Sequence, residues 1–478
     1  MEASKALVPK EDIRKLLDGE KLEHCFECGI CTASCSIADL LGKDYNPRNL
    51  LEKIFLNPDA VLASYEPWLC AWCYRCYKRC PQGLKLPEIF LYMRTAAVKN
   101  AFTQPLEIAF EKIVDNIPLS IVTTLVCFHP ERAGLEIKKI LDMIEHIRIE
   151  HLKKLKKKKT VKSSGEKIAV IGSGPAGLTV ASELARKGHK ITIFEAFSEP
   201  GGMLRKCIPE YRLPKWVLAK EIQFIEDLGV EIKTGVKVGE DVNFDDLRKG
   251  NYRAIFIGTG ANKSQAFKIE GGDLEGVIHA IEFLWNANYK EKVKVGKDVV
   301  VIGGGNVAMD TAKTALRLNA DKVTILYRRS KEEMPAIPWE VKEAENEGVK
   351  IEFLVAPKKI LGKNGKVSAV ECVRIQLGEP DESGRRKPTP IEGSEFTRET
   401  DMVILAIGEI PDLGFLPKEI ELNEDNTVWV NPITMETSVE GIFAGGDAVT
   451  GPATIIEAIR AGKRAAESIE NYVKSLAR

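Results

Sequence analysis

Residues 167–195 read KIAVIGSGPAGLTVASELARKGHKITIFE. The apolar run Ile168–Ile171 has the length of a buried strand, and the glycine-rich turn after it opens a helix with apolar residues at a 3.6-residue period. Each small residue then has its own task. Gly172 permits the tight turn, Gly174 lets a pyrophosphate approach the backbone at a helix N-terminus, and Gly177 allows helix and strand to pack closely. A second strand ends at Glu195, an acid placed to accept from ribose hydroxyls. The stretch is a dinucleotide-binding βαβ unit.

The pattern recurs at residues 298–329, DVVVIGGGNVAMDTAKTALRLNADKVTILYRR, with Gly303, Gly305 and Ala308 at the small positions. Here the second strand ends in Tyr327-Arg328-Arg329 instead of an acid. Guanidinium groups match a 2′-phosphate, so this copy is expected to take NADP(H), with NAD(H) as the alternative. Two dinucleotide folds in one chain, the second inserted in the first, is the plan of two-dinucleotide flavoproteins, and it predicts a return to finish the first fold. IFIGTGA at 255–261 marks the crossover. DMVILAIG at 401–408 and GIFAGGD at 441–447 are read as the returning strands. Asp447, ahead of a helix N-terminus, is placed to bind a flavin's ribityl chain.

The 478 residues allow about three domains at roughly 100–200 residues each. Lys plus Arg and Asp plus Glu number 69 each, so no global basic field exists to hold nucleic acid or an anionic membrane. The most apolar run, Leu119–Phe128, falls short of the roughly 20 residues that cross a bilayer. Residues 1–10 lack the apolar core of a secretory signal, so a cytoplasmic location is expected.

Eight of the eleven cysteines fall between Cys25 and Cys80. Cys25, Cys28, Cys31 and Cys35 follow C-x2-C-x2-C-x3-C, and Cys70, Cys73, Cys76 and Cys80 repeat it, with Pro81 next. Three thiolates at this interval wrap one face of a cubane, and the fourth cysteine of each run characteristically serves the other cluster. The expected ligand sets are therefore Cys25, Cys28, Cys31 and Cys80 for one [4Fe–4S] cluster, and Cys70, Cys73, Cys76 and Cys35 for a second. Zinc is the alternative, but its structural sites favour separated C-x2-C pairs. Between the runs, Asn46 as cap, Pro47 in the first turn and Pro58 beyond the end frame a helix. PQGLKLPEIFLYMRTAAVKNAF after Cys80 reads as another. This region, with WLCAWCYRCYKRCP, resembles the iron–sulfur subunit of heterodisulfide reductase over residues 20–100.

GGMLRKCIPEYRLPK (201–215), VVVIGGGNVAMD, YRRS, EMPA and GIFAGGDAVTGPATIIEAIRAGKRAA (441–466) together resemble the glutamate synthase small-subunit family. The FAD/NADPH subunit of ferredoxin:NADP transhydrogenase and the flavin half of dihydropyrimidine dehydrogenase are equally similar. The resemblance covers residues 166–478. It implies FAD against Gly172, Gly174, Gly177, Glu195, Gly202, Arg212 and Asp447, and a nicotinamide nucleotide against Gly305, Asn306, Val307, Ala308, Arg328 and Arg329. Pro175, Ala176, Gly201, Met203, Gly260, Gly303, Gly408, Gly446 and Thr454 complete the expected nucleotide-binding set. Cys207 lacks a CxxC partner, which argues against a thioredoxin-reductase type of dithiol chemistry, and it is read as a packed thiol. Cys127, His129, His146 and Cys372 are read as structural.

The expected fold class is α/β, with two Rossmann-like domains preceded by an α-helical ferredoxin-like domain. The expected divisions are 1–100 for the clusters, 101–165 for a helical connector ending in a lysine-rich linker, 166–295 with 395–478 for FAD, and 296–394 for NAD(P)H. Hydride transfer from a nicotinamide to a flavin needs orientation and exclusion of water rather than a side-chain acid or base. No catalytic side chain is therefore assigned. The expected function is an FAD-dependent NAD(P)H:acceptor oxidoreductase that passes electrons through both clusters to a partner redox subunit or ferredoxin. The alternatives are a glutamate synthase small subunit, or a redox-sensing scaffold without catalysis.

Overall fold

The computed structural model describes residues 25–157, 165–289, 293–381 and 384–476, together with Val8, Asp12 and Lys15. The end of the lysine-rich linker, residues 158–164, lies outside the described residues. The chain forms two compact units. One comprises Met1–Gly202, Lys215–Gly260 and Leu413–Arg478, and the other Met203–Pro214 and Ala261–Asp412.

The first unit opens with helices. The Asn46 side chain accepts the N–H groups of Arg48 and Asn49, both at 3.1 Å, to start the helix Pro47–Leu56. Pro47 sits where its missing N–H has no partner to lose, and Leu50, Leu51 and Ile54 form the buried face. The helix Leu86–Lys99 follows the second cysteine run, and Gln104–Asn116 and Ile137–Lys157 follow it. The apolar run Leu119–Phe128 breaks into the short helix Ser120–Thr123 and a π-helical turn, Thr124–Phe128. Among the described residues no helix is long and apolar enough to cross a membrane.

Five parallel strands of this unit lie in the order Ile442–Ala444, Tyr252–Ile257, Lys167–Ile171, Lys190–Glu195 and Glu231–Thr234. The glycine turn after Lys167–Ile171 thus opens where neighbouring strands leave the central one in opposite directions, the place where such sheets bind nucleotides. Ile168–Ile171 is buried throughout, as expected of a parallel sheet covered on both faces.

The second unit repeats this order with Val277–His279, Met402–Leu405, Asp298–Ile302, Lys322–Tyr327 and Lys350–Phe353. Met402–Leu405 therefore completes the second sheet, a correction to its reading as a returning strand of the first. The cause is local. The Asp401 carboxylate accepts the N–H groups of Lys297 at 2.9 Å and Asp298 at 3.1 Å, which fixes Met402 opposite Val299. Only Ile442–Ala444 returns to the first sheet, and the inserted unit is wider than residues 296–394. An antiparallel group built on Val355–Lys363 and Lys366–Pro380 covers the second sheet, with Cys372 buried in the shared core.

Candidate functional site

The two cysteine runs share a backbone device. In the first, Glu27 (φ 51°) and Gly29 (φ 74°) flank Cys28, and in the second, Trp72 (φ 49°) and Tyr74 (φ 57°) flank Cys73. Left-handed residues on both sides of the middle cysteine curl each run so that it ends in a short helix, Ile30–Ala33 or Arg75–Arg79. For Glu27, Trp72 and Tyr74 that conformation costs of order 1–3 kcal/mol each, strain of the kind that collects at ligand sites.

Burial pushes the Cys35 thiol up to about 12, and Cys73 and Cys70 add repulsion. Burial likewise raises Cys76, which senses Cys70, Cys73 and Cys35 and, last, Cys31 of the first run. Cys35 thus sits with the run 70–76 across a long sequence gap. Cys31 is raised by burial and also senses Cys25 and Cys28. Cys28 is exposed, Cys70 is buried, and Cys80 closes the helix Arg75–Arg79 with its N–H on the Tyr77 carbonyl. Among the described residues no group of three His, Cys, Asp or Glu could hold a single metal ion. The thiol donor set instead fits clusters, in which each iron takes one thiolate.

Behind the buried group lies Arg94, on Leu86–Lys99. It donates from Nε to the Pro67 carbonyl at 2.8 Å, from Nη1 to that of Phe128 at 2.5 Å and from Nη2 to that of Cys70 at 2.6 Å.

The helix Ser36–Leu41, which follows Cys35, packs on the helix Ile455–Leu476. Arg460 of that helix senses Cys35, and Arg75 senses Cys73 and Cys35 while pairing with Glu457. Asp39 is 2.7 Å from Arg464, and the Lys463 ammonium donates to the Asn116 carbonyl at 2.6 Å. The helix begins with a capping box. Thr454 Oγ1 donates to Glu457 at 2.7 Å and accepts the Glu457 N–H at 3.3 Å, close after the Gly446-Asp447 turn.

At that turn Gly446 has φ 69°, and Asp447 accepts the Ala453 N–H at 3.2 Å. Facing glycines close the first crevice tightly. A Cβ on Gly172 would meet the Gly258 carbonyl oxygen at 2.5 Å, one on Gly177 the Gly172 oxygen at 2.0 Å, and one on Gly202 the Gly174 Cα at 2.9 Å. On Gly174 itself a Cβ would find nothing nearer than 3.9 Å, so its open side is the approach for a diphosphate. Pro175 and Ala176 begin the helix behind it, and Gly260 has φ 71°. Glu195 is buried. Its carboxylate accepts the N–H groups of Ser173 at 3.0 Å and Phe197 at 2.9 Å, and also the Ser173 hydroxyl, which in turn accepts the Gly201 N–H at 2.9 Å. The acid therefore pins the glycine turn as well as facing the crevice.

In the second unit Gly303 (φ 147°) abuts the Ala406 carbonyl, where a Cβ would come to 2.1 Å. Gly305 has nothing within 4 Å, the counterpart of Gly174. Gly304, which the sequence pattern did not single out, lies against the Tyr327 ring, where a Cβ would approach to 2.4 Å. Asn306 accepts the Ile337 N–H at 2.9 Å, Val307 is partly buried and Ala308 is fully buried. The two arginines separate. Arg328 is exposed, whereas Arg329 is buried with Nη2 2.6 Å from Asp381 and Nε on the Arg386 carbonyl at 2.9 Å. Beside them Glu333 is held down to about 2 by its hydrogen bond from Arg386. Arg212 pairs with Asp310 at 2.6 Å and approaches Glu340 at 3.5 Å, and Lys313 meets Glu340 at 3.0 Å. Burial alone would lower Arg212, but the two carboxylates outweigh it and raise its pKa. Met203 and Cys207 touch through their sulfurs at 3.3 Å, and Gly408 has φ 117°.

Residues 166–462 match the family described as pyridine nucleotide-disulphide oxidoreductase, and residues 21–84 match the 4Fe-4S dicluster domain. The beta subunit of NADP(+)-dependent formate dehydrogenase of Moorella thermoacetica is 48% identical over 66% of this chain and 45% of its own length. The beta subunit of NADPH-Fe(3+) oxidoreductase of Geobacter sulfurreducens is 37% identical over 84% of this chain and 63% of its own. The glutamate synthase [NADPH] small chain of Escherichia coli is 40% identical over 66% and 70%. The chain thus spans about half to two thirds of the first two of these relatives. Among solved structures, Mycobacterium tuberculosis FprA in complex with NADPH has the same fold (TM-score 0.55, 21% identity, 66% of this chain and 85% of that one). So does the thioredoxin reductase of T. acidophilum (TM-score 0.51, 23% identity, 65% and 98%). The chain belongs to the pyridine nucleotide-disulphide oxidoreductase family, with a 4Fe-4S dicluster domain joined ahead of that family's fold.

Proposed function

We propose that the chain is the NADP(H)-handling subunit of a cytoplasmic redox complex, carrying electrons between NADP(H) and a separate partner protein. The observation that carries this reading is the ion pair of Arg75, two residues after Cys73, with Glu457 on the helix Ile455–Leu476, which starts beside Asp447, together with the packing of the helix Ser36–Leu41, which follows Cys35, on that same helix. The group Cys35, Cys70, Cys73 and Cys76 is then the inner one, next to the flavin fold. Cys25, Cys28, Cys31 and Cys80 form the outer one, with Cys28 and Phe26 exposed toward a partner. When bound, the flavin supplies two-electron exchange with the nicotinamide and the clusters supply one-electron steps.

The residues of the chain bind and orient. Gly174 and Gly305 leave room for the two diphosphates, and Glu195 holds its turn and meets a ribose. Asp447 meets the ribityl chain, and Arg328, free of the structural pairing that occupies Arg329, meets the 2′-phosphate. Arg212 acts through the Asp310–Glu340 network. The family likeness to the glutamate synthase small chain favours one further reading, delivery to a glutamate-forming large subunit.

Anaerobically reconstituted protein should contain about eight iron atoms per chain, lose its flavin colour with NADPH and reduce a viologen dye. Bound flavin that neither NADPH nor NADH bleaches would sink the reading. Co-purification with a glutamate-forming large subunit would favour the alternative.

A further inference from the structure

Arg94 is about 1% exposed, in the middle of the helix Leu86–Lys99. A guanidinium so buried carries a large desolvation penalty, normally offset by a carboxylate. Here its three hydrogen bonds end on neutral carbonyls, those of Pro67, Phe128 and Cys70, and among the described residues no carboxylate forms an ion pair with it. Burial lowers the Arg94 pKa, and the neighbouring Arg132 repels the guanidinium. Glu131 attracts it but is bonded to His129 at 3.0 Å. Tyr45 is buried and hydrogen-bonded to the Cys70 thiol. The buried guanidinium thus lies against the Cys70 backbone and 5.7 Å from the centroid of the Trp68 ring, with no carboxylate ion-paired to it among the described residues.

We propose that Arg94 is the counter-charge of the inner cluster and raises its midpoint potential. The proposal rests on Cys35, Cys70, Cys73 and Cys76 being the ligands of that cluster. A cubane on four thiolates is anionic in both redox states and gains one further negative charge on reduction, and its potential follows net charge, hydrogen bonds to sulfur and exposure. A fixed cation in a low-dielectric surrounding favours the more negative, reduced form. One electron enters and no proton moves, because arginine keeps its proton. A purely architectural Arg94, clamping three carbonyls, would stabilise both redox states and the iron-free protein alike.

The test is potentiometry followed by EPR on the full iron-loaded chain, comparing wild type with Arg94→Met and Arg94→Lys. In Arg94→Met with about eight iron atoms per chain, one cluster should shift to lower potential. At its wild-type midpoint its oxidised-to-reduced ratio should rise about tenfold, equivalent to about 59 mV for one electron, while the other cluster stays in place. Arg94→Lys should lie between. Both midpoints unmoved, or both moved equally, at full iron content would overturn the proposal. If Arg94→Met does not retain iron, Arg94→Lys, which keeps the charge, decides: at full iron content one midpoint below wild type with the other in place supports the proposal, and loss of iron from both variants, as a structural clamp predicts, overturns it. Wild type with about four iron atoms per chain, or with zinc, would instead defeat the ligand assignment, independently of Arg94.

Discussion

Arg148 and Glu221 form a buried ion pair, Nη2 to Oε2 at 2.9 Å, between the helix Ile137–Lys157 and the helix Lys215–Asp227 of the first dinucleotide fold. The other Glu221 oxygen accepts the Ile121 N–H at 2.6 Å, and the Arg148 guanidinium lies 4.3 Å over the Phe224 ring. One carboxylate therefore ties two segments of the helical region to the flavin fold. Truncating it as Glu221→Ala leaves a buried cation and an unpaired N–H, and should cost about 3–5 kcal/mol in urea unfolding. The double variant Arg148→Met/Glu221→Met should recover most of the loss. A double variant as unstable as Glu221→Ala would show that the pair itself, not the stranded charge, holds the seam.

The association of Cys35 with the second run makes a prediction about additivity. Cys35→Ser and Cys70→Ser should each lower iron from about eight to about four atoms per chain, and the double variant should lose no more than either. Cys28→Ser combined with Cys35→Ser should lose nearly all of it. Iron content that falls independently for Cys35 and Cys70 would place them at different clusters.

Gly174 and Gly177 should separate binding from folding. A methyl at Gly177 would overlap the Gly172 carbonyl, so Gly177→Ala should destabilise the fold by about 1–3 kcal/mol or more. Gly174→Ala has room in the folded chain. It should leave the denaturant midpoint nearly unchanged yet release flavin on gel filtration, because its methyl enters the approach to the diphosphate. Flavin retention by Gly174→Ala at wild-type level would remove the diphosphate from that position.

The two arginines at the end of Lys322–Tyr327 should differ in kind. Arg328→Ala should raise KM for NADPH by tenfold or more while leaving KM for NADH and thermal stability nearly unchanged. Arg329→Ala should lower stability by about 1–3 kcal/mol, because it removes the buried guanidinium's bonds to Asp381 and to the Arg386 carbonyl. An equal KM effect on both nucleotides at Arg328 would argue against 2′-phosphate recognition there.

Much of this arrangement is legible in the chain. The glycines at 172, 177 and 303 announce both crevices because only glycine tolerates the backbone approaches found there, and those at 174 and 305 because they leave an open side for a diphosphate. Asn46-Pro47 announces the helix between the cysteine runs. The owner of Met402–Leu405 is not legible, since strands of two parallel sheets are apolar throughout and look alike, and the deciding contact is an Asp401 carboxylate on two distant N–H groups. Arg94 is hidden for a similar reason. An arginine in an amphipathic helix is expected to reach solvent along its stem, and this one is buried where Pro67 and Cys70 on one segment and Phe128 on another bring three carbonyls to it. Arg329 and Glu221 are likewise fixed by partners far away in sequence.

The pairing of Ile442–Ala444 with Tyr252–Ile257 has a consequence for biosynthesis. On the ribosome, every strand of the second sheet emerges before that edge strand does, so the inserted unit can close its sheet while the first is still missing a member. The capping box at Thr454 and the helix that pairs with Arg75 arrive later still. Assembly of the flavin crevice and its coupling to the thiols are thus late events of translation, and premature termination shortly before residue 442 would yield a chain with a complete second sheet and an unfinished first.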